Sequence, residues 1–146
     1  MNHETVLHRM LYAGPGLIVA AALALAFMVI PAVRIDTYPG ATPEMAIPVF
    51  WKIAVIHLLF AAALISIIRN LQGMSRALGI TLLVFIGVLL LIMGLVMSDG
   101  ASAYLHHGPD MQPVAIIMFI CIGCDFMAAV MAFTAAFLQP KRANKK

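Results

Sequence analysis

The chain has 146 residues, of which 64% are hydrophobic and only 10% charged, with a mean hydropathy of +1.04. A soluble domain of this size carries about 25% charged residues, so the composition excludes an ordinary soluble enzyme. The net charge of +3 and the pI near 9.1 do not point to nucleic acid, because the basic residues are spread along the chain as an orientation signal.

Four apolar runs, residues 11–33, 48–68, 77–97 and 113–138, approach or exceed the length that crosses a bilayer. Crossing a hydrocarbon core of about 30 Å takes ~20 apolar residues in a helix. The prediction is an all-α membrane protein, a four-transmembrane-helix bundle formed by residues 1–146 as one unit. Arg9, Arg69, Arg76, Lys141, Arg142, Lys145 and Lys146 fall on one side of the runs, and only Arg34 and Lys52 on the other. Basic residues flanking spans stay in the cytoplasm, so both termini are expected there, with a bacterial cytoplasmic (inner) membrane as the setting.

Residues 3–12 mix charged and apolar positions and predict a short interfacial turn. Gly14-Pro15-Gly16 then places a proline where a helix start tolerates one. Ala22-Leu23-Ala24-Leu25-Ala26 has the small-residue spacing of a cleaved leader. The apolar run continues through Met28-Val29-Ile30, however, and Glu4 weakens the basic flank, so a retained span is expected. Pro31 should end or kink it.

Pro39-Gly40 and Pro43 mark the first outer loop, and Pro48 is expected to open the second span. Trp51 and Lys52 look like an interfacial anchor and a snorkelling lysine. The turn of residues 69–76, with Gly73 and a cap at Ser75, is short enough to make spans two and three antiparallel neighbours. Gly79, Gly87 and Gly94 form a small-residue stripe on the third span. Asp99-Gly100 and Gly108-Pro109-Asp110 read as turn signals in a second outer loop. Pro113 opens the fourth span, where Ala128, Ala132 and Ala136 recur at helical spacing beside Ala129. Such stripes let helix backbones approach closely in lipid. The eleven methionines are scattered and read as filling between helices.

Two ionisable residues sit mid-run, His57 and Asp125, each roughly ten positions into its span and at matching depth. Placing Asp at the bilayer centre costs about 2.5–3.5 kcal/mol on insertion scales, so such a group faces protein or a wet cavity. Ala54 and Ala61 share the face of His57, and Asp125 continues the alanine stripe, so both should point into helix contacts and are candidates to interact. The pair supports three readings: a structural hydrogen bond, a proton or substrate pathway, or a cofactor or metal role.

Cys121-Ile122-Gly123-Cys124 has the C-x-x-C spacing of thiol redox motifs. In these four residues the chain is similar to the vitamin K epoxide reductase family, four-span quinone-linked enzymes with such a pair in the fourth span. That family also uses a second, outward-facing pair, and this chain has two cysteines only, so helix packing is the expected role. His106-His107 with Asp110 could bind copper or zinc at the outer surface, against the plainer reading of a solvated loop. Haem would need a second axial ligand from a methionine or another chain, since His57 is the one histidine within a span.

The chain has no phosphate-binding loop, Ser-His-Asp set, His-Glu-x-x-His or dinucleotide fingerprint. The leading expectation is a non-catalytic accessory or scaffold subunit of a larger membrane complex, with the lipid bilayer and other membrane subunits, or further copies of itself, as partners. The alternatives are a proton-coupled small transporter or channel using His57 and Asp125, and a membrane redox protein binding haem, quinone or copper. The orientation is testable by fusing a reporter active only outside the cytoplasm after Lys146. No signal is expected; a strong one would reverse the topology.

Overall fold

The computed structural model describes residues 3–35, 43–106 and 109–138. Among these residues all regular structure is helical. Helix α1 (His3–Ala24) runs through a π-helical turn (Leu25–Val29) into α2 (Ile30–Ile35). Helices α3 (Pro43–Asn70), α4 (Arg76–Leu105) and α5 (Gln112–Leu138) follow, with a 3-10 turn at Pro109–Met111 before α5. Among the described residues four segments are long and apolar enough to cross a membrane: Tyr12–Ala32, Ile47–Asn70, Arg76–Leu105 and Gln112–Leu138. The protein is an integral membrane helical bundle.

Several element ends differ from the sequence expectation, each for a physical reason. The first helix starts at His3, not at Gly14-Pro15-Gly16, and Pro15 lies buried inside it. Gly14 leaves room there: a Cβ on it would stand 3.4 Å from Leu64 Cδ2 of α3. Pro31 does not end the span. A proline ring clashes with the carbonyl four residues back, which here is Phe27, inside the π turn. The turn is widened, with Ile30 N–H donating to the Leu25 carbonyl five residues back. The helix absorbs the proline and continues to Ile35.

Pro48 likewise lies inside α3, which begins at Pro43. Asp99-Gly100 is helical, because α4 continues to Leu105. Its 30 residues reach about 45 Å, well beyond the hydrocarbon core. Packing overrides the turn signal here. Met97, Ala101 and Tyr104 repeat at helical spacing and are buried with Met111 of the 3-10 turn and Val114, Ala115 and Met118 of α5. The Tyr104 ring lies 6.4 Å from that of Phe50.

Four helices can pair in six ways, and the small residues select among them. α4 packs closely on α5, α5 on α1, and α1 on α3. α3 and α4 meet only sparsely, despite the short turn that joins them. The turn fixes two helix ends through Gly73 and Met74 N–H groups donating to the Asn70 carbonyl, and through the Ser75 cap on Leu78 N–H. It does not supply a packing face. The glycines of α4 do: Gly79, Gly87 and Gly94 are all buried, and Gly87 and Gly94 lie against Phe133 and against Phe126 and Ile122 of α5. In lipid, helices associate where backbones can approach. α4 therefore goes to the alanine-rich face of α5. The cyclic order that results is α3, α1, α5, α4, which leaves α3 and α5 on the diagonal.

At Gly87 a Cβ would fall 2.8 Å from Phe133 Cε1, whereas at Gly123 nothing lies within 4 Å. Gly87→Leu should therefore lower bundle stability by ~1–3 kcal/mol, the usual range for overpacking, in a reversible unfolding titration. Gly123→Leu, which meets nothing, should not lower the midpoint. Equal effects at the two positions would refute the α4–α5 seam.

Candidate functional site: a polar pair across the bundle

The buried apolar residues form two clusters that divide at one level of the bundle. Toward the Asn70–Ser75 turn lie Ile18, Ala61, Leu64, Leu83, Leu90, Ala128 and Ala129. Toward the opposite end lie Ala21, Leu25, Ala54, Met97, Cys121 and Ile122. Between them, on α3 and α5, stand His57 and Asp125, both fully buried at 0% exposure. No other acidic, basic, amide or aliphatic hydroxyl side chain is buried among the described residues.

His57 Nε2 lies 3.0 Å from Asp125 Oδ2, a hydrogen bond between helices that do not share a close seam. The diagonal is bridged by side chains rather than by backbone approach. Small residues make the reach possible: Ala54 and Ala61 flank His57, Ala128 and Ala129 follow Asp125, and Ala21 and Ala22 line α1, all of them buried. His57 Nδ1–H donates to the Ile53 carbonyl of its own helix at 2.8 Å. Both ring nitrogens are therefore engaged. Asp125 Oδ1, by contrast, is buried and no protein donor among the described residues reaches it.

The two cysteines are free thiols on successive turns of α5. Cys121 is buried and donates its S–H to the Ala21 carbonyl at 3.7 Å, a weak contact between α5 and α1. Cys124 is only partly buried. His106, at the α4 end, is exposed; His107 and the Asp110 side chain lie outside the described residues. Among the described residues no three His, Cys, Asp or Glu side chains gather as a metal site. For haem the donor set does not fit, because neither nitrogen of His57 is left to bind iron.

Two features escaped sequence reasoning, one within the site and one in the core beyond it. The Ile53 carbonyl orients His57 from one turn back, a contact open to a helical histidine whatever its neighbours. Tyr104 belongs to the buried face of α4, and the spacing of Met97, Ala101 and Tyr104 past the Asp99-Gly100 signal carried that information. Known protein families, curated proteins and solved structures contain no match to this chain.

The hydrogen bond makes the two residues energetically dependent. His57→Ala and Asp125→Ala should each destabilise the bundle and should be non-additive in a double-mutant cycle. Intramembrane hydrogen bonds average ~0.6 and reach ~1.7 kcal/mol in such cycles, and a coupling in that range is expected. Strict additivity would show that the contact contributes nothing.

Proposed function

We propose that this chain is a non-catalytic accessory or scaffold subunit of a larger assembly in the bacterial cytoplasmic membrane, with its termini and the Asn70–Ser75 turn on the cytoplasmic face. The observation that carries the reading is Gly123, exposed midway along α5 with nothing within 4 Å of where its Cβ would be. Glycine inside a helix is about 1 kcal/mol less favourable than alanine, and lipid gains nothing from the omission. Flanked by the exposed side chains of Phe119, Ile120 and Met127, it forms a notch that a neighbouring helix can fill. Gly16 repeats the feature on α1, with exposed Ala13 and Ala20 at helical spacing on either side. Both notches lie outside the contacts that hold the bundle together.

The alternative, a proton-coupled transporter or channel using His57 and Asp125, needs polar groups leading to the pair from each face. The apolar clusters on both sides of it favour the scaffold reading.

Extraction in a mild detergent followed by native mass measurement tests the proposal. A mass above that of one chain is expected, either with other subunits or as a multiple of 15.7 kDa. Gly16→Leu and Gly123→Leu should shift the chain toward a monomer without lowering the stability of the monomer itself. A lone wild-type monomer would overturn the reading.

A further inference from the structure

We infer that His57 and Asp125 form a closed, net-neutral acid–imidazole pair in which Asp125 Oδ2–H donates to a bare His57 Nε2, and that the pair fastens α3 to α5 without carrying charge. The reasoning starts at Ile53. A backbone carbonyl accepts and cannot donate, so the 2.8 Å contact requires a hydrogen on Nδ1. Nε2 then faces Oδ2 at 3.0 Å with two bonded states open to it. A charged pair puts the second proton on Nε2, and a neutral pair puts it on Oδ2. Either way one proton lies between the two atoms.

Loss of that proton would set a bare nitrogen lone pair against a carboxylate oxygen. Switching the tautomer would only move the repulsion to Nδ1 and the Ile53 carbonyl. The fixed carbonyl thus makes the pair retain its proton, since release breaks one of its two hydrogen bonds. This feature separates it from a relay, whose members must give up and regain a proton while staying bonded.

Asp125 Oδ1 chooses between the two bonded states. In a charged pair it holds a share of the carboxylate charge, buried and with no protein donor among the described residues. A buried charge without full hydrogen bonding is heavily penalised. In the neutral pair Oδ1 is an uncharged carbonyl oxygen, which costs far less to bury without a donor than a carboxylate oxygen does. Cys121, one turn earlier on the same face, could have donated to it, but gives its S–H to Ala21 instead. His57 is the only basic side chain buried among the described residues, so no second cation balances a carboxylate.

The full-length protein in lipid bilayers provides the test. Infrared difference spectra of wild type against Asp125→Asn should show a protonated-carboxyl carbonyl band that the variant loses. In the 15N spectrum of wild type, the imidazole protected from hydrogen exchange should have one protonated nitrogen and one bare nitrogen. Asparagine copies the neutral acid, with an N–H toward Nε2 and a carbonyl at Oδ1, so Asp125→Asn should keep the wild-type unfolding midpoint while Asp125→Ala lowers it. A carboxylate band, two protonated nitrogens on the protected imidazole, or an Asn variant that unfolds as early as the Ala variant or fails to fold would each overturn the inference.

Discussion

The contact between His57 and Asp125 joins the two helices that the rest of the bundle keeps apart. α3 and α5 sit on the diagonal, and no backbone seam holds them in register. Most of the other contacts in the core are apolar and, in a lipid solvent, weakly directional. One hydrogen bond of defined geometry between two fully buried side chains is therefore the element that sets the rotation and depth of one helix relative to its diagonal partner. The core is organised around that level: its two apolar clusters end where the pair begins, on every one of the four spans.

The seams follow from a different constraint. Lipid is as apolar as the side chains it surrounds, so helices choose partners by how closely they can pack. The glycines of α4 and the alanines of α5 make a close approach possible between those helices, and α1, with Ala21 and Ala22 buried, completes the contact with both α5 and α3. A short turn, which in a soluble bundle would pair its two helices, here only ties their ends. At Gly16 and Gly123, by contrast, no described residue comes within 4 Å of where a Cβ would stand.

The helix interruptions show how membrane context resolves conflicting local signals. Backbone groups in hydrocarbon must be bonded within the segment, so a proline in a span is better absorbed than allowed to end the helix. At Pro31 the widened π turn does this while keeping Leu25 and Val29 buried. At Asp99-Gly100 a turn-forming dipeptide stays helical because Ala101 and Tyr104 on the same helix have a buried face to fill. Pro15 and Pro48 are carried inside helices that start earlier than their spans.

Four spans, the stripes of Gly79, Gly87 and Gly94 and of Ala128, Ala132 and Ala136, and the matching depth of His57 and Asp125 were legible in the amino-acid sequence, because length, spacing and hydrophobicity are properties of one helix at a time. Helix order was not, since it depends on which of several small-residue faces approaches which, a comparison between helices. The extension of α4 to Leu105 and the π turn before Pro31 were likewise decided by tertiary contacts and steric relief that act against local propensity. By itself the sequence determined that His57 and Asp125 must be hidden from lipid. Only the tertiary structure decided that they meet across the diagonal, that Ile53 holds the imidazole and that one carboxyl oxygen has no protein donor among the described residues, because a hydrogen bond depends on distances of a few tenths of an ångström that no periodicity encodes.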